Sequence, residues 1–461
     1  MDHFPIVEEL RYQDPLTCFI RVPREGALWL DSAATSQQGR YSYIAFSPFQ
    51  TIISKNEAVN PWTVLEAVFA RYKLTPLSDL PPFQGGIAGV FSYELGGYLE
   101  KLPRSTIDDL QFPELMVGCY DLVLAFDHPL QRCWLFSSGF PETSEEARLT
   151  RAKKRLAYAK DLLSQTVTLP EVCAVTIAEE AITSTFTQAR YEEEVARVIE
   201  YIRAGDIFEA NISQRFSCTL PDKLSTFDLY RRLRKNNPAP YAAYMQLGDN
   251  VIASASPEQF LQLENGMVET RPIKGTRPRH ATPEQDKRNA QELMDSEKDH
   301  AENVMIVDLM RNDLSRVCLA HSIQVSQLCA LESFATVHHL VSVVQGKIKP
   351  EFNALDLLKA TFPGGSITGA PKIRAMEIIA ECEPTLRGPY CGSIGYLGFN
   401  DNVALSITIR TYAIHQNFLT FQTGGAVTID SVPKEEYEET LAKAKALRYT
   451  LVGERNKHII T

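Results

Sequence analysis

The chain has 461 residues, of which 44% are apolar and 23% charged, as is usual for a soluble globular protein with two domains or one large composite domain. Its net charge of -10 argues against nucleic acid as the main partner, because binding phosphates needs a basic face. No apolar run approaches the roughly 18 residues that span a bilayer, and the acidic, proline-broken N-terminus is unlike a signal peptide. We therefore expect a cytoplasmic protein, with no membrane partner and with its nine cysteines reduced.

The N-terminal region, residues 1–175, alternates short apolar runs with proline and glycine, which predicts strands and a few helices. A Thr-rich, weakly patterned stretch over 165–187 is the candidate linker to a second region, 185–455. That region opens with an amphipathic helix that Thr187 caps and Gly205 ends. Strands and helices then alternate without a Rossmann-like repeat, so the sequence predicts an α+β fold with mostly antiparallel sheet.

Further helices are predicted to begin at Pro283, Pro371 and Pro433, with Thr282 in a capping box. One hairpin is predicted to join residues 403–414 to 418–423. Another turns at Asn265-Gly266, a type I′ signal.

The register of the Asn265-Gly266 hairpin brings Glu258 and Lys274 to the same end of it. Counting outward from the turn pairs Glu258 with Ile273, but an ideal ladder points neighbouring side chains to opposite faces. Prolines at 257 and 272 cannot donate ladder hydrogen bonds. We therefore expect a bulge or a ladder end between residues 256–260 and 271–275, with both side chains facing one cavity.

One predicted strand, over 403–410, has a face of small polar groups that ends in Arg410. This face is either the floor of a polar cavity, where the guanidinium could bind a carboxylate bidentately, or a solvent-facing sheet surface. Glycine-rich stretches at 362–372 and 423–426 could bring backbone N–H groups close to an anion.

Acidic side chains stand out on two predicted helices. Glu436, Glu439 and Lys443 share one face of the last helix, which is either solvated or part of a site. Glu302 is unusual, because it lies on an apolar stripe with Met305, Ile306 and Leu309. Buried carboxylates need partners, and several gathered from separate helices would form an oxygen-ligand site for Mg2+.

Lys274 lies in a P-I-K-G-T segment between Arg271 and Arg277. A free lysine is neutral in only about one molecule in two thousand at pH 7. Burial and the positive charge of Arg271 or Arg277 would depress its pKa and free the lone pair for attack. The alternative is a surface lysine in a basic loop.

Several segments in this order resemble the chorismate-utilising enzymes. They are P-I-K-G-T at 272–276, A-E-N at 301–303, D-L-M-R-N-D at 308–313, P-G-G-S-I-T-G-A-P-K at 363–372, S-I-T-I-R at 406–410 and E-Y-E-E-T at 436–440. The resemblance covers about 185–450 and reaches the N-terminal region at 82–86. It implies a fold like that of anthranilate synthase component I, in which large, mostly antiparallel sheets are sandwiched with helices and the active site lies in a central cleft.

The resemblance also implies catalytic roles. Lys274 would attack C2 of chorismate with loss of the C4 hydroxyl, and ammonia would then add at C4 and expel the lysine. Glu258 matches the general acid/base at the leaving hydroxyl, and His339 matches a histidine that faces the ring. A lysine in P-I-K-G-T is typical of the aminodeoxychorismate synthase branch, whose product, 4-amino-4-deoxychorismate, leads to 4-aminobenzoate and folate. Anthranilate synthase component I, which usually has alanine there, is the alternative, and a catalytically dead subunit is disfavoured by the intact set of residues.

Ligands and partners follow from the same resemblance. Glu302 and Glu439 match Mg2+ ligands, with Glu436 acting through water. The residues expected to bind substrate are Arg410, Lys443, Gly425, Thr423, Tyr396 and Ser366. The family's G-A-G-I-V stands here as G-G-A-V-T at 424–428, so contacts near Ala426 differ. Ammonia is expected from a separate glutaminase subunit, because no cysteine lies in a G-x-C-x-G elbow. The N-terminal region also matches a tryptophan pocket of the family, at residues 30–32 and 41–43.

Overall fold

The computed structural model describes residues 4–34, 38–55, 59–334 and 337–453. The strands are β1 (Ile6–Leu10), β2 (Leu28–Asp31), β3 (Tyr41–Ala45), β4 (Gln50–Ser54), β5 (Gly86–Phe91), β6 (Leu115–Tyr120), β7 (Leu122–Asp127), β8 (Arg132–Ser137), β9 (Thr183–Ser184), β10 (Glu209–Thr219), β11 (Tyr241–Leu247), β12 (Asn250–Ser256), β13 (Gln259–Glu264), β14 (Met267–Thr270), β15 (Ile273–Pro278), β16 (Gln324–Ser333), β17 (Val337–Lys347), β18 (Gly369–Ala370), β19 (Ser393–Gly398), β20 (Val403–Ile407), β21 (Thr411–His415) and β22 (Phe418–Val427). The helices are α1 (Pro15–Phe19), α2 (Pro61–Arg71), α3 (Glu145–Ser164), α4 (Gln188–Arg203), α5 (Thr226–Asn236), α6 (Pro283–Met294), α7 (Glu297–Ser315), α8 (Ala354–Thr361), α9 (Lys372–Cys382) and α10 (Pro433–Val452).

Two large sheets organise these elements, and neighbouring strands in both are antiparallel. The first has 12 strands in the order β1-β8-β7-β3-β2-β11-β12-β21-β22-β10-β18, with β9 on β10, and the second has 10 strands in the order β15-β17-β14-β13-β20-β19-β5-β6-β4, with β16 on β17. The predicted α+β class with mostly antiparallel sheet is confirmed. Strands from both predicted regions, 1–175 and 185–455, enter each sheet, and residue 455 itself lies outside the described residues.

Local turn and cap chemistry explains several boundaries. Thr187 caps α4 through its hydroxyl, as predicted. The Asn265-Gly266 hairpin is also confirmed, because Glu264 pairs with Met267 and both turn residues have positive φ. The predicted capping box at Thr282 is wrong: its side chain makes no cap hydrogen bond and instead contacts Nδ1 of His280.

The predicted hairpin strand over 403–414 is divided between the two sheets. β20 ends at Ile407 in the second sheet, and β21 begins at Thr411 in the first. Arg410 lies in the crossover with φ of 52°. The prediction that side chains alternate between two strand faces as far as Arg410 is therefore wrong. Ser406 and Thr408 are buried, which excludes the solvent-facing alternative for this polar face.

The expected ladder break between Glu258 and Lys274 is present. β13 and β14 pair only as far as Gln262 and Glu269, and β15 pairs with β17 instead. A register shift between Ile273 and Thr276 marks a bulge at Lys274 and Gly275. Gly275 has φ of 87°, and a Cβ there would lie 2.8 Å from Leu293 and 2.9 Å from Asp299. The bulge therefore turns Lys274 away from the ladder and into the interior.

A buried ion pair joins the glycine-rich segment to the first sheet. Arg387 donates to both carboxylate oxygens of Glu383 at 2.8 and 2.7 Å, and also to the carbonyls of Ile367 and Asn211. Glu383 in turn accepts from the N–H and hydroxyl of Ser213. Every member of the network has partners, so it fixes β10 against the 364–370 segment.

No helix in the described ranges is both long and apolar enough to cross a membrane. The nine cysteines, all within those ranges, are free thiols, as expected.

We expect Arg387→Met to lower the free energy of unfolding by about 3–5 kcal/mol, because it leaves the Glu383 carboxylate buried without its cation. The midpoint of urea unfolding measures this loss. The matched control is Glu200→Gln, which breaks an ion pair with Arg203 whose side chains are 68% and 61% exposed, and it should change stability by less than about 1 kcal/mol. Equal shifts in the two variants would contradict the role given to the buried pair.

Candidate active site

Lys274 is buried where the bulge of β15 meets the first residue of β10. Its Nζ donates to Oε1 of Glu209 at 2.6 Å. The two side chains are 8% and 0% exposed, so the surface-lysine alternative is wrong. An ammonium and a carboxylate thus form a contact ion pair with little access to water.

The charges around Lys274 are opposite to those expected from the sequence. Burial favours the neutral amine, but the carboxylates of Glu209, Glu302 and Glu258 outweigh it and raise the pKa of Lys274 above its ordinary value. Arg271 pairs with Glu332 and Arg277 with Glu292, so neither acts as the positive neighbour that we expected. The resting lysine is therefore protonated.

Glu258 lies beside Lys274 at the open end of the hairpin. Burial raises the pKa of Glu258 to about 7, although the Ser366 hydroxyl and the charge of Lys274 oppose the rise. Ser366 donates to Oε1 of Glu258 at 2.6 Å. A carboxyl group that titrates near neutral pH can give or take a proton there. Ser366, predicted to bind substrate, lies in the site and is hydrogen-bonded to Glu258.

Helices α7 and α10 bring a second group of carboxylates together around Lys298. Its Nζ lies 3.4 Å from Oε1 of Glu436 and 4.0 Å from Oε1 of Glu302. Burial raises the pKa of Glu302 to about 7 and also raises that of Glu436. The cap residue of α7 is Ser296, so Glu302 lies past the first turn, and its buried neighbours include Asn303 and Ile306 rather than Met305 and Leu309.

Gly425 on β22 lies against the same carboxylates. A Cβ there would be 2.9 Å from Oε2 of Glu436 and 3.3 Å from Oε1 of Glu439. Lys443 pairs with Glu439 at 2.6 Å and donates to the carbonyl of Gly424, and its charge lowers the pKa of Glu439. Glu439 and Lys443 are 47% and 40% exposed, so this part of the helix face is open to solvent and Glu436 is not.

The carboxylates suit a partly hydrated Mg2+ ion. Among the described residues, no three His, Cys, Asp or Glu side chains are close enough together to hold a metal ion without water ligands. Mg2+ nevertheless keeps several waters and commonly uses one or two carboxylates. Oε2 of Glu436 is buried without a hydrogen-bond partner in the described structure, and Gly425 leaves space beside it. Glu302, Glu436 and Glu439 are therefore the residues that could hold the ion.

Arg410 and His339 lie on another side of the site. Burial lowers the pKa of Arg410, and its guanidinium makes no hydrogen bond or ion pair with any described residue. Burial and the charge of Arg410 lower the pKa of His339 to about 3, so this imidazole is neutral. Its Nδ1 contacts the Thr276 hydroxyl at 2.9 Å. The guanidinium is available for an anionic ligand.

Two residues predicted to bind substrate make contacts within the protein. The ring of Tyr396 is stacked on Phe83 with centroids 4.2 Å apart and also contacts Tyr43. The hydroxyl of Thr423 donates to the carbonyl of Thr440 on α10 at 2.9 Å. Tyr396 faces the core between the sheets, and Thr423 fixes α10 to β22 next to Gly424. The roles of both residues in substrate binding stay predictions.

Tyr396 instead lines a separate cavity of about 120 Å3. Asp31, Ser32 and Tyr41 from the predicted tryptophan pocket also line it. Asp31 is paired with Arg234. The segments that we matched to that pocket thus come together at a cavity distinct from the Lys274 site.

Glu209 and Lys298 also belong to the site but were not predicted from the sequence. Glu209 alternates with Asn211 and Ser213 along β10, which gives this strand a polar face like that of β20. That alternation is visible in the sequence, and it is the pattern from which Glu209 could have been predicted as a site residue. Lys298 is one helical turn before Glu302, where an i,i+4 pair is expected.

Comparisons with known proteins agree with this fold. The chain matches the sequence profile of the chorismate binding enzymes over residues 25–449. It is 39% identical to aminodeoxychorismate synthase component 1 of Klebsiella aerogenes, over 91% of this chain and 92% of that protein. It is also 39% identical to anthranilate synthase component 1 of Thermus thermophilus, over 94% of each.

Solved structures give the same result. Anthranilate synthase component I from Streptococcus pneumoniae superposes with a TM-score of 0.78 at 31% identity, over 96% of this chain and 99% of that one. The menaquinone-specific isochorismate synthase of Escherichia coli shares the fold at a TM-score of 0.74 and 17% identity, over 97% and 94%. The predicted fold like that of anthranilate synthase component I is confirmed, and the chain belongs to the chorismate binding enzyme family.

Proposed function

We propose that the chain is the chorismate-aminating component of an aminodeoxychorismate synthase, which converts chorismate and ammonia to 4-amino-4-deoxychorismate for 4-aminobenzoate and folate synthesis. The observation that carries the proposal is the buried Lys274 beside Glu258. A lysine at this position of P-I-K-G-T is typical of that branch of the family. Its burial next to a carboxyl group that titrates near neutral pH suits a nucleophile and its proton donor.

The residues divide the proposed reaction into two displacements. The Lys274 amine forms a bond to C2 of chorismate, the ring double bond shifts, and the C4–O bond breaks. Protonated Glu258 supplies the proton with which the hydroxyl leaves as water. Ammonia then forms a bond to C4 while the C2–N bond to Lys274 breaks, and Glu258 recovers a proton from the new ammonium group.

Substrate binding in this proposal uses two cationic side chains, Arg410 and Lys443. The Arg410 guanidinium, which has no described partner, would receive one carboxylate of chorismate, and Lys443 would be near the other. When bound by Glu302, Glu436 and Glu439, Mg2+ would offset the negative charge of a substrate carboxylate. Neutral His339 would face the ring.

Ammonia would come from a second protein. The relatives named as component 1 point to a partner component, and we propose that it is a glutaminase subunit. Ammonia delivered into a water-poor site would compete well with water for C4.

Anthranilate synthase component I is the second candidate function. The chain is as similar to the Thermus thermophilus enzyme of that name as to the Klebsiella aerogenes one, so overall identity does not separate the two. Lys274 favours the aminodeoxychorismate reaction, because formation of anthranilate does not call for an amine nucleophile at this position.

We expect the chain, incubated with chorismate, Mg2+ and ammonium, to form 4-amino-4-deoxychorismate. Lys274→Ala should lower the rate of its formation at least about 100-fold, because the covalent step is lost. Product identification by liquid chromatography and mass spectrometry measures both. Lys287→Ala, at a lysine on α6 outside the site, is the matched control and should retain the wild-type rate. Formation of ortho-aminobenzoate, or an undiminished rate in Lys274→Ala, would contradict the proposal.

We expect kcat/KM to fall as pH rises through about 7, where Glu258 loses the proton that the leaving hydroxyl needs. The Ser366 hydroxyl stabilises the ionised carboxylate, so Ser366→Ala should raise the pKa of Glu258 and move this fall to higher pH. Glu258→Gln should remove the fall and lower the rate about 10²–10⁴-fold. If kcat/KM of Glu258→Gln still falls at the same pH, the fall belongs to the titration of another group.

We expect Glu302→Gln and Glu436→Gln each to raise the Mg2+ concentration for half-maximal activity roughly tenfold or more, because each removes a charged oxygen ligand. Titration of activity with Mg2+ measures the shift. Glu438→Gln is the matched control, since Glu438 is on α10 but its side chain is 60% exposed. An unchanged Mg2+ requirement in the first two variants would exclude a metal at this position.

A further inference from the structure

Glu209 is a buried carboxylate that the reaction described above does not use. It has no exposed surface, and its Oε1 lies 2.6 Å from the Nζ of Lys274. Asn211 adds one long hydrogen bond to the same oxygen, at 3.4 Å. Glu209 therefore touches the atom that forms the new bond.

The surroundings of Glu209 differ from those of the fully bonded Glu383–Arg387 pair. In the Glu383–Arg387 pair, both carboxylate oxygens are bonded and Glu383 accepts two further hydrogen bonds from Ser213. Oε2 of Glu209 is buried and, among the described residues, has no hydrogen-bond partner. Leaving such an oxygen unsatisfied costs about 1–3 kcal/mol or more.

Backbone geometry fixes the contact from both sides. Glu209 pairs with Ala370 at the start of β10, and a Cβ at Gly369 would lie 2.1 Å from the Glu209 carbonyl oxygen. The bulge at Gly275 turns Lys274 toward it. Two strands from different sheets thus hold the carboxylate against the amine, as catalytic proton transfer requires.

We propose that Glu209 is the base that removes a proton from the Lys274 ammonium as Nζ attacks C2 of chorismate. The proton passes from Nζ to Oε1, and the freed lone pair forms the N–C2 bond. In the second displacement the electron pair of the C2–N bond returns to nitrogen, and Glu209 gives its proton back to the departing lysine. The inference rests on the proposed function, since it needs a lysine nucleophile.

The direct test is Glu209→Gln, which keeps the shape and a hydrogen-bond acceptor for Nζ but cannot take a proton. The readout is the rate at which chorismate without ammonia adds to the Lys274 peptide, followed by intact-mass and peptide mass spectrometry. We expect this rate to fall about 10²–10⁴-fold at pH 7.5, with a much smaller change in the chorismate concentration for half-saturation. Asp121→Asn is the matched control, because Asp121 is also buried in an ion pair, with Arg155, away from the site.

The pH dependence separates a base from a structural residue. The charged groups that face Lys274 are Glu209 from β10, Glu302 from α7, Glu439 from α10 and Glu258 beside β13. Without Glu209 the ammonium must first lose its proton to solvent, so the ratio of the variant rate to the wild-type rate should rise about tenfold per pH unit below the pKa of the amine. A structural role would give a constant ratio. Glu209→Asp keeps a carboxylate, so its ratio should stay constant with pH.

Each outcome is decisive. Adduct formation in the wild type and at the same rate in Glu209→Gln would overturn the role of Glu209 and leave the lysine reaction standing. If the rate of Glu209→Asp relative to the wild type rises with pH, the role of Glu209 is also overturned. This test remains valid if Glu209→Gln does not fold. Absence of any adduct on Lys274 in the wild type would overturn the lysine step and the role of Glu209 together.

Discussion

The contact between the Lys274 ammonium and the Glu209 carboxylate constrains the chemistry that the rest of the site can perform. Both charges have little access to water, and each would be costly to bury without the other. The pair keeps the lysine protonated in the resting protein, so the amine can act as a nucleophile only if its proton has an acceptor within reach. That requirement links the ion pair to the proposed chemistry, because Glu209 both holds the ammonium and can relieve it of a proton.

The fold meets this requirement by joining two sheets at irregular points. Lys274 leaves its ladder at a bulge, Glu209 begins a strand of the other sheet, and Arg410 lies where the chain crosses between the sheets. Regular strands would point these groups in fixed alternation, whereas a bulge, a strand end and a crossover release them from it. The fully bonded Glu383–Arg387 network stabilises that geometry, because it fixes β10 to the glycine-rich segment.

Features set by neighbouring residues could be predicted from the sequence, and features set by distant contacts could not. The Asn265-Gly266 turn and the Thr187 cap depend on side chains close in the chain, and both were confirmed. The electrostatic environment of Lys274 was predicted with the wrong sign, because its dominant neighbour, Glu209, is 65 residues away in sequence. The position of Tyr396 also depends on a distant contact, because its ring stacks on Phe83 from the N-terminal region.

A crystal structure of the chain exposed to chorismate and Mg2+ without ammonia tests the central claim most directly. We expect continuous density between Nζ of Lys274 and C2 of a ring that has lost its C4 hydroxyl, with Glu209 still beside the nitrogen. Intact chorismate in the cavity, with Lys274 still paired to Glu209 and not bonded to the ring, would contradict it.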